Sequence, residues 1–253
     1  MGVKSLSKRH DKQRRKSRRS FQSADVIELH GSKFNAERNL APIEPLNAHQ
    51  AAYLDALRTE DQVVVLGPAG TGKTWIAATY AADLYRQRQI DKIILTRPTV
   101  PCGRSLGFFP GDLNEKFAPW AAPLTEAIAE RIGRAAYEIA VKNGDIEFVP
   151  FEVMRGRSWK DAFILLDEAQ NATPAEMKMF LTRLGFNSKM IITGDETQTD
   201  LPAQRPSGLE TVRRILKGIP GVAFIDLTSK DVVRHRIVAA IVDAYAQFDA
   251  GSR

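Results

Sequence analysis

A glycine-rich segment between an apolar run and an alanine-rich run constrains this chain more than any other feature. The segment completes the pattern G-x-x-x-x-G-K-[ST] and consists of Gly67, Pro68, Ala69, Gly70, Thr71, Gly72, Lys73 and Thr74. The β-branched run before it, residues 62–66, predicts a buried strand, and the amphipathic run after it, residues 75–85, predicts a helix. Strand, glycine loop and helix in this order favour a phosphate-binding loop over a chance glycine turn.

The chemistry of such a loop follows from its backbone. Its N–H groups and the N-terminus of the following helix form a cradle for phosphate oxygens. The ammonium group of Lys73 is then placed to reach the β- and γ-phosphates, and the hydroxyl of Thr74 to hold Mg²⁺. The segment therefore predicts a nucleotide site that uses Mg²⁺.

A second motif is an acidic pair at the end of an apolar run. Residues 162–166 predict a strand, and Asp167 and Glu168 follow it directly. In nucleotide hydrolases an acidic residue at this place contacts the Mg²⁺ shell, so Asp167 is the predicted metal contact. Glu168 is the predicted general base for an attacking water. Without the phosphate loop, the same pair would indicate only a solvated turn.

A third strand is predicted at residues 189–193, followed by a polar segment that contains Gln198. If it runs parallel to the strand before Asp167, its carboxyl end faces the same crevice as the loop. Gln198 is then a candidate for sensing the γ-phosphate or orienting water. A polar turn residue is the alternative interpretation of Gln198.

The remaining elements are predicted more coarsely. A helix over residues 51–57 has Asn47 as its N-cap, and a strand covers residues 93–96. Prolines and glycines make residues 98–124 a long loop, followed by a helix from Pro123 to Lys142. Residues 146–150 predict a strand, Thr173 caps a helix over 174–184, and a last helix is expected from Asp231 to Phe248.

Composition excludes several classes of protein. Hydrophobic residues make up 43% of the chain and charged residues 26%, which is typical of a globular domain. No apolar run is long enough to span a membrane, and no secretory signal follows the start. The single cysteine, Cys102, and the spacing of the four histidines indicate neither a disulfide framework nor a zinc site. These features predict a cytoplasmic protein.

Positive charge is concentrated at the start of the chain. Residues 1–20 contain nine Lys or Arg and one Asp, a net charge of +8, whereas the whole chain has +6 and the remainder therefore −2. We expect residues 1–45 to form a disordered basic arm and connector, and residues 46–253 to form the globular domain. Nucleic-acid phosphates are the predicted partner of the arm. A solubilising tail and membrane-surface binding are the alternatives.

Several segments together resemble the PhoH family of phosphate-starvation-inducible ATPases. The matching segments are residues 96–100, 106–113, 154–159, 167–171, 179–185, 193–202 and 231–235. The resemblance extends from about Leu46 to about Tyr245, and Cys102 and Phe109 depart from the expected residues without touching the phosphate motifs. It implies an α/β P-loop NTPase with a mostly parallel sheet flanked by helices, similar to the nucleotide-binding core of superfamily 1 helicases.

The resemblance also implies roles for residues that spacing alone does not assign. Gln50 matches a glutamine that reads adenine, whereas an exposed helix glutamine is the alternative. Arg234 is the best match to an arginine finger supplied by a neighbouring subunit, with a surface salt bridge as the alternative. Arg155 and Arg157 are further candidates for phosphate or nucleic acid. A homo-oligomeric ring, for which the resemblance suggests a hexamer, would supply the finger.

Three uses of Mg²⁺-dependent ATP hydrolysis remain open. The resemblance favours an ATPase that binds or remodels RNA, and helicase activity is one form of this. An ATP-switched adaptor that recruits RNA-processing partners is the second, and a small-molecule kinase is the third and least supported. About 45 residues precede the core, too few for the PIN nuclease domain of some relatives, so no nuclease activity is expected.

Overall fold

The computed structural model describes residues 40–98, 113–202, 206–233 and 237, all of which belong to one compact unit, Arg38–Arg253. Residues 1–39 of the predicted arm and connector, together with Cys102 and Arg234, lie outside the described residues, whereas residues 40–45 are described and Ile43 packs against the core.

A parallel sheet of six strands organises the described part of the chain, with the strand order β3-β2-β4-β5-β1-β6. The strands are β1 Gln62–Leu66, β2 Lys92–Thr96, β3 Ile146–Phe148, β4 Ala162–Leu166, β5 Lys189–Gly194 and β6 Val222–Asp226. Four of them are continuous β-branched or apolar runs, as expected when helices cover both faces of a parallel sheet.

Six α-helices connect these strands in the described residues. They are α1 Ala48–Thr59, α2 Lys73–Arg86, α3 Leu113–Ile132, α4 Arg134–Asn143, α5 Pro174–Leu181 and α6 Gly208–Leu216. Short 3₁₀ turns cover Phe151–Met154, Ala169–Asn171 and Ser229–Asp231. The fold class is thus confirmed as an α/β parallel sheet flanked by helices.

Two hydrophobic clusters divide the core between the faces of the sheet. Val63 and Val65 belong to one cluster with residues of α1 to α4, and Val64 and Leu66 belong to the other with residues of α5 and α6. This alternation reflects the two-residue period of a strand, which sends successive side chains to opposite faces. Burial on both faces fixes the strand register, and with it the height at which each strand ends.

Helix caps agree with the sequence signals. The Asn47 side chain accepts a 2.8 Å hydrogen bond from the Gln50 backbone N–H, which caps α1. Thr173 and Glu176 form a reciprocal capping box at the start of α5, with Pro174 in its first turn. Both caps satisfy N–H groups that a helix start otherwise leaves without partners.

Two helix predictions are wrong. Helix α3 begins at Leu113, ten residues before Pro123, and Gly133 separates it from α4, so residues 123–142 are not one helix. Buried contacts of Leu124, Ala127 and Ile128 with the core outweigh the helix-breaking tendency of proline. The last helix also does not begin at Asp231, because residues 229–231 form a 3₁₀ turn and Val232 and Val233 are not helical.

Among the helices that the structure describes, none has the length and apolarity needed to cross a bilayer.

Candidate nucleotide site

The predicted motifs lie at the carboxyl ends of three neighbouring strands, β4, β5 and β1. β1 runs into the loop at Gly67, β4 ends before Asp167, and β5 ends before Asp195. Because the strands are parallel, these three ends share one edge of the sheet, where open α/β sheets bind ligands. The Gly67 N–H also donates a 3.1 Å hydrogen bond to the Gly194 carbonyl, which ties the loop to β5.

Three glycines of the loop, Gly67, Gly70 and Gly72, have positive φ, and the first and last show most clearly why glycine is needed. Gly67 has a φ of 147°, and a Cβ there would lie 2.3 Å from the carbonyl oxygen of Leu227. Gly72 has a φ of 86° and caps the start of α2. A side chain at Gly67 would clash, and one at Gly72 would strain the backbone. Buried Thr71 fastens the loop internally by donating a 2.9 Å hydrogen bond to the Pro68 carbonyl.

Lys73 lies inside the loop that precedes it. Only 8% of the residue is exposed, and its ammonium group donates to the carbonyl oxygens of Gly67 and Pro68. Burial lowers the pKa of Lys73, and three nearby carboxylates oppose that shift: Asp195, Asp167 and Glu168. A nucleotide phosphate bound in the loop would add negative charge close to the Lys73 ammonium group. The lysine is therefore held where it could pair with a bound anion.

Thr74 and Asp167 meet as the magnesium prediction requires. The Thr74 hydroxyl lies 3.0 Å from Asp167 Oδ1, and the Thr193 hydroxyl donates to the same oxygen at 2.6 Å. Hydroxyl and carboxylate oxygens suit Mg²⁺, which uses few protein ligands and completes its shell with water and phosphate. The donor set therefore fits the ion, which Thr74 and Asp167 would hold.

Glu168 is held in an uncommon backbone conformation. Its φ is 54° and its ψ is 41°, the left-handed region that a residue with a Cβ enters at some cost. One carboxylate oxygen accepts a 2.5 Å hydrogen bond from Gln170 Nε2, and the other lies 3.9 Å from Arg97 Nη2. Strain of this kind occurs at functional sites, where the surrounding contacts maintain it.

Gln198 lies on the turn that follows β5. Its backbone N–H donates to the Asp195 carbonyl at 3.1 Å, and its side chain is exposed. Asp195 shapes this turn, since its Oδ1 accepts hydrogen bonds from the N–H and hydroxyl of Thr197 at 3.0 and 2.6 Å. The structure therefore places Gln198 on the correct edge of the sheet, and its contact with a γ-phosphate stays a prediction.

Gln50 is buried rather than exposed, with 3% of its surface accessible. Its Nε2 donates a 3.0 Å hydrogen bond to the Thr71 carbonyl, and its Oε1 accepts one of 2.9 Å from the Leu46 N–H. The interpretation as an exposed helix glutamine is therefore wrong. Both ends of the amide fasten the phosphate loop to the start of α1, and adenine contact stays a prediction.

Comparison with known families agrees with this geometry. The sequence pattern of the family described as PhoH-like protein matches residues 42–246. The chain belongs to the PhoH family.

Curated PhoH relatives extend the comparison. A PhoH-like protein of Bacillus subtilis is 52% identical over 196 residues, which cover 78% of this chain and 61% of the relative. Protein PhoH of Escherichia coli K12 is 36% identical over 244 residues, covering 94% and 69%. The chain thus spans about three fifths of the length of the PhoH-like protein from B. subtilis.

Among solved structures, the Pif1 helicase of Candida albicans aligns with 74% of this PhoH chain and 40% of its own, at 16% identity and a TM-score of 0.39. That likeness is too distant to bear on function.

Three further residues of the PhoH core take part in the site, and sequence reasoning missed their roles. Buried Gln170 donates to Glu168 and accepts a 3.1 Å hydrogen bond from the Asp195 N–H, so it joins the ends of β4 and β5. Thr193 orients Asp167. Asp195 Oδ2 is buried without a hydrogen-bond partner in the described residues, and the Asp195 carboxylate lies near enough to Lys73 to oppose the lowering of the lysine's pKa. The only sequence signal was their position in family-like segments.

The predicted finger, Arg234, lies outside the described residues, but the residue before it does not. The Val233 N–H donates a 2.9 Å hydrogen bond to the Gly70 carbonyl. The turn before it is held by Asp231, which accepts from the Thr228 N–H at 2.6 Å and contacts His49 Nδ1 at 2.8 Å. The chain therefore passes its own phosphate loop immediately before Arg234.

Proposed function

We propose that this PhoH chain hydrolyses ATP to ADP and phosphate with Mg²⁺, and that nucleic acid, most favourably RNA, is coupled to the cycle. The single observation that carries the proposal is the contact between Thr74 and Asp167 beside Lys73. It unites the glycine loop and the acidic pair in the arrangement that phosphoryl transfer needs.

In this mechanism the loop N–H groups and Lys73 bind the phosphates, and the ammonium group exchanges its carbonyl partners for phosphate oxygens. Mg²⁺, when bound, supplies positive charge that offsets the charge of the phosphates. Water attacks the γ-phosphorus, the bond to the bridging oxygen of ADP breaks, and Glu168 accepts the proton of the water. Gln198 orients the γ-phosphate or the water.

The contacts of Glu168 support its place in the cycle. Gln170 engages one carboxylate oxygen and Arg97 lies near the other, so the base is oriented before a nucleotide arrives. Gln170 also accepts a hydrogen bond from the Asp195 N–H. If the turn that carries Gln198 moved, the Gln170 side chain would therefore transmit that movement to Glu168. This linkage would connect γ-phosphate sensing with hydrolysis.

Oligomerisation is proposed from the described part of the site. Helicase-like motors close their nucleotide site with a second domain, whereas the described residues form a single sheet. A head-to-tail ring, for which the family resemblance suggests six subunits, would close the site with a neighbouring subunit. The single cysteine is compatible with a reducing compartment, and we propose a cytoplasmic location.

ATP turnover measured with and without single-stranded RNA tests this function, together with the mass of the protein bound to a nonhydrolysable ATP analogue. Turnover that RNA accelerates supports the coupled ATPase. Turnover indifferent to RNA, with ATP-dependent binding of a protein partner, supports the adaptor. No ATP binding at all would falsify the proposal.

The basic arm is expected to control nucleic-acid affinity without affecting basal hydrolysis. Deleting residues 1–20 removes nine positive charges and no predicted site residue. Affinity for an RNA oligonucleotide should fall, and its dependence on salt should flatten, because fewer counterions are released. A full-length variant with these nine residues changed to Ser controls for length. An unchanged affinity and salt slope in both variants would assign the arm to solubility or another partner.

Arg234 is expected to act on the nucleotide of a neighbouring subunit. Arg234→Ala should bind ATP normally and hydrolyse it about 10³-fold more slowly or worse, as for loss of an arginine finger. Mixing it with Lys73→Ala should restore some turnover, because mixed rings pair an intact loop with an intact finger. Arg214→Ala, an exposed arginine on α6, is the matched control.

Because Val233 contacts the phosphate loop of its own chain, Arg234 could instead act on the nucleotide of that same chain. The same mixing experiment tests this alternative. If Arg234→Ala is slow and mixing restores nothing, the arginine serves the loop of its own chain. Normal turnover of Arg234→Ala would remove the finger altogether.

A further inference from the structure

Two segments at the amino ends of β4 and β5 form one surface, which we name the basic ledge: residues 155–161 and 182–188. The Asp161 N–H donates a 3.0 Å hydrogen bond to the Phe186 carbonyl, and the Trp159 N–H donates one of 3.3 Å to the Arg183 carbonyl. An isolated parallel bridge joins Trp159 to Leu184. Since nucleotide chemistry is placed at the carboxyl ends of these strands, the ledge lies at the opposite edge of the sheet.

Phe186 projects from the ledge into solvent. It is 94% exposed, the highest value among the exposed large hydrophobic residues of the described chain. Its carbonyl is fixed by Asp161 and also accepts a 3.2 Å hydrogen bond from the Ser188 hydroxyl. Asn187, at a φ of 53°, donates a 2.8 Å hydrogen bond to Asp161 Oδ1.

Gly185 allows the close packing of this turn. A Cβ there would lie 2.1 Å from the Trp159 carbonyl oxygen, so no other residue fits without moving the two segments apart. Close packing at Gly185 and hydrogen bonds at Phe186 and Asn187 therefore hold the backbone of the turn in place on both sides of the exposed aromatic ring. Presentation on a fixed backbone lowers the entropy lost when a partner binds.

Several cations lie in the same two segments as the ring, and Asp161 is the one carboxylate of residues 155–161 and 182–188. Arg155 and Lys160 are exposed, and with Arg183 they form no ion pair with a carboxylate in the described part of the chain. Arg183 is nevertheless held in place, because its guanidinium donates to the carbonyls of Met179 and Arg157 at 3.1 and 3.3 Å. Backbone carbonyls orient this cation without neutralising its charge.

Arg157 completes the ledge differently. It pairs with Glu147 at 2.8 Å, and its guanidinium lies 4.9 Å from the centroid of the buried Trp159 ring. Its charge is partly compensated, so it contributes to the shape of the ledge more than to its net charge.

We propose that the basic ledge binds single-stranded nucleic acid, with phosphates on Arg155, Lys160 and Arg183 and an unstacked base on Phe186. An exposed aromatic ring on the same two segments as unpaired cations is complementary to a polyanion that carries flat bases. A protein partner would need a larger apolar centre than one phenylalanine ring provides. A base inside a duplex is already stacked and would not offer its face to the ring.

The proposal rests on the proposed coupling to nucleic acid and gives it a location. β5 has six residues, so at about 3.3 Å per residue the ledge lies roughly 15 to 20 Å from the phosphate loop. ATP and nucleic acid would then bind at the same time, without competition between their phosphates. β4 and β5 connect the two sites directly, since each begins at the ledge and ends at the catalytic edge.

Two substitutions in the full chain separate stacking from charge, and fluorescence anisotropy with a labelled 20-nucleotide oligouridylate measures both. Phe186→Ala should raise the Kd about 5- to 100-fold, the range for loss of one base stack, with an unchanged salt slope. Lys160→Glu should raise the Kd and reduce the slope of log K against log salt by about one. Oligothymidylate in parallel distinguishes RNA from DNA.

Ile139→Ala and Lys217→Glu are the matched controls, since both residues are exposed and lie outside the ledge. They should keep the parental Kd, and all four variants should keep basal ATPase activity. Parental Kd values for Phe186→Ala and Lys160→Glu would overturn the proposal. The proposal would also be overturned if Phe186→Ala changed the oligomer mass measured by light scattering but left the Kd unchanged, because Phe186 would then serve a contact between subunits. If the parent binds RNA through the ledge but hydrolyses no ATP, the ledge stands and the ATPase proposal fails.

Discussion

Lys73→Ala is expected to abolish measurable ATP hydrolysis, with a loss of at least about 10² to 10³ in kcat/KM, the range for removal of one group that stabilises transition-state charge. The lysine is the buried cation of the site, and the carboxylates that oppose the lowering of its pKa mark it as the centre of the local charge. Alanine leaves the phosphates of ATP beside Asp167 and Glu168 without that cation. Steady-state phosphate release and calorimetric titration with ATP measure the two effects separately.

Lys189→Ala is the matched control for this prediction. Lys189 is half-buried, burial lowers its pKa as it does that of Lys73, and its ammonium group donates to the Glu60 carbonyl at 2.6 Å. It lies at the amino end of β5, away from the phosphate loop. Its removal should lower the melting temperature and leave turnover intact. Equal losses of turnover in the two variants would mean that Lys73 acts through stability and not through phosphate contact.

The parts of the structure that the sequence predicted well are those whose signals are local. The phosphate loop is eight consecutive residues between a strand and a helix, and the glycine requirement at Gly67 and Gly72 is a backbone property. The Thr173 cap likewise depends on residues three positions apart. Such patterns predict structure reliably because the interacting groups are neighbours in the chain.

Other parts required knowledge of strand order. Gln170 contacts the Asp195 N–H 25 residues away, and the Thr193 hydroxyl reaches Asp167 across 26 residues. These contacts exist because β4 and β5 are adjacent and in register, and no local pattern encodes the height at which two strands end together. Arg155 and Arg157 were candidates for nucleic acid, but the part of the basic ledge that carries Phe186 was missed for the same reason, since Asp161 and Phe186 come together only through the pairing of their segments.

Helix α3 shows how tertiary packing overrides a local signal. Proline at positions 119 and 123 indicates a loop, because each ring removes a helical hydrogen bond. The structure continues the helix through both positions, and the buried side chains of Leu124, Ile128 and Ile132 lie on its next turns. Burial of each such side chain stabilises the fold by about 1.5 to 3 kcal/mol, so a few of them offset the loss at proline.

Glu168→Gln is expected to separate ATP binding from hydrolysis. The amide has nearly the shape of the carboxylate but cannot accept the proton of the attacking water, so turnover should fall about 10²- to 10⁴-fold. Affinity for ATP should stay near the parental value, because the loop, Lys73 and the contact between Thr74 and Asp167 are unchanged. Single-turnover hydrolysis and equilibrium titration with ATP provide the two measurements, and the variant should accumulate bound ATP.

Glu196→Gln is the control, since this exposed carboxylate follows β5 close to the site and pairs with Arg213 at 3.5 Å. It should hydrolyse ATP as the parent does. If Glu168→Gln also did so, the base would lie elsewhere, and Asp195 would be the remaining choice because its buried Oδ2 has no hydrogen-bond partner in the described residues. Asp195→Asn should then hydrolyse ATP slowly, in contrast to Glu168→Gln. If Glu168→Gln alone is slow, the strained backbone at Glu168 and its contact with Gln170 belong to a catalytic base.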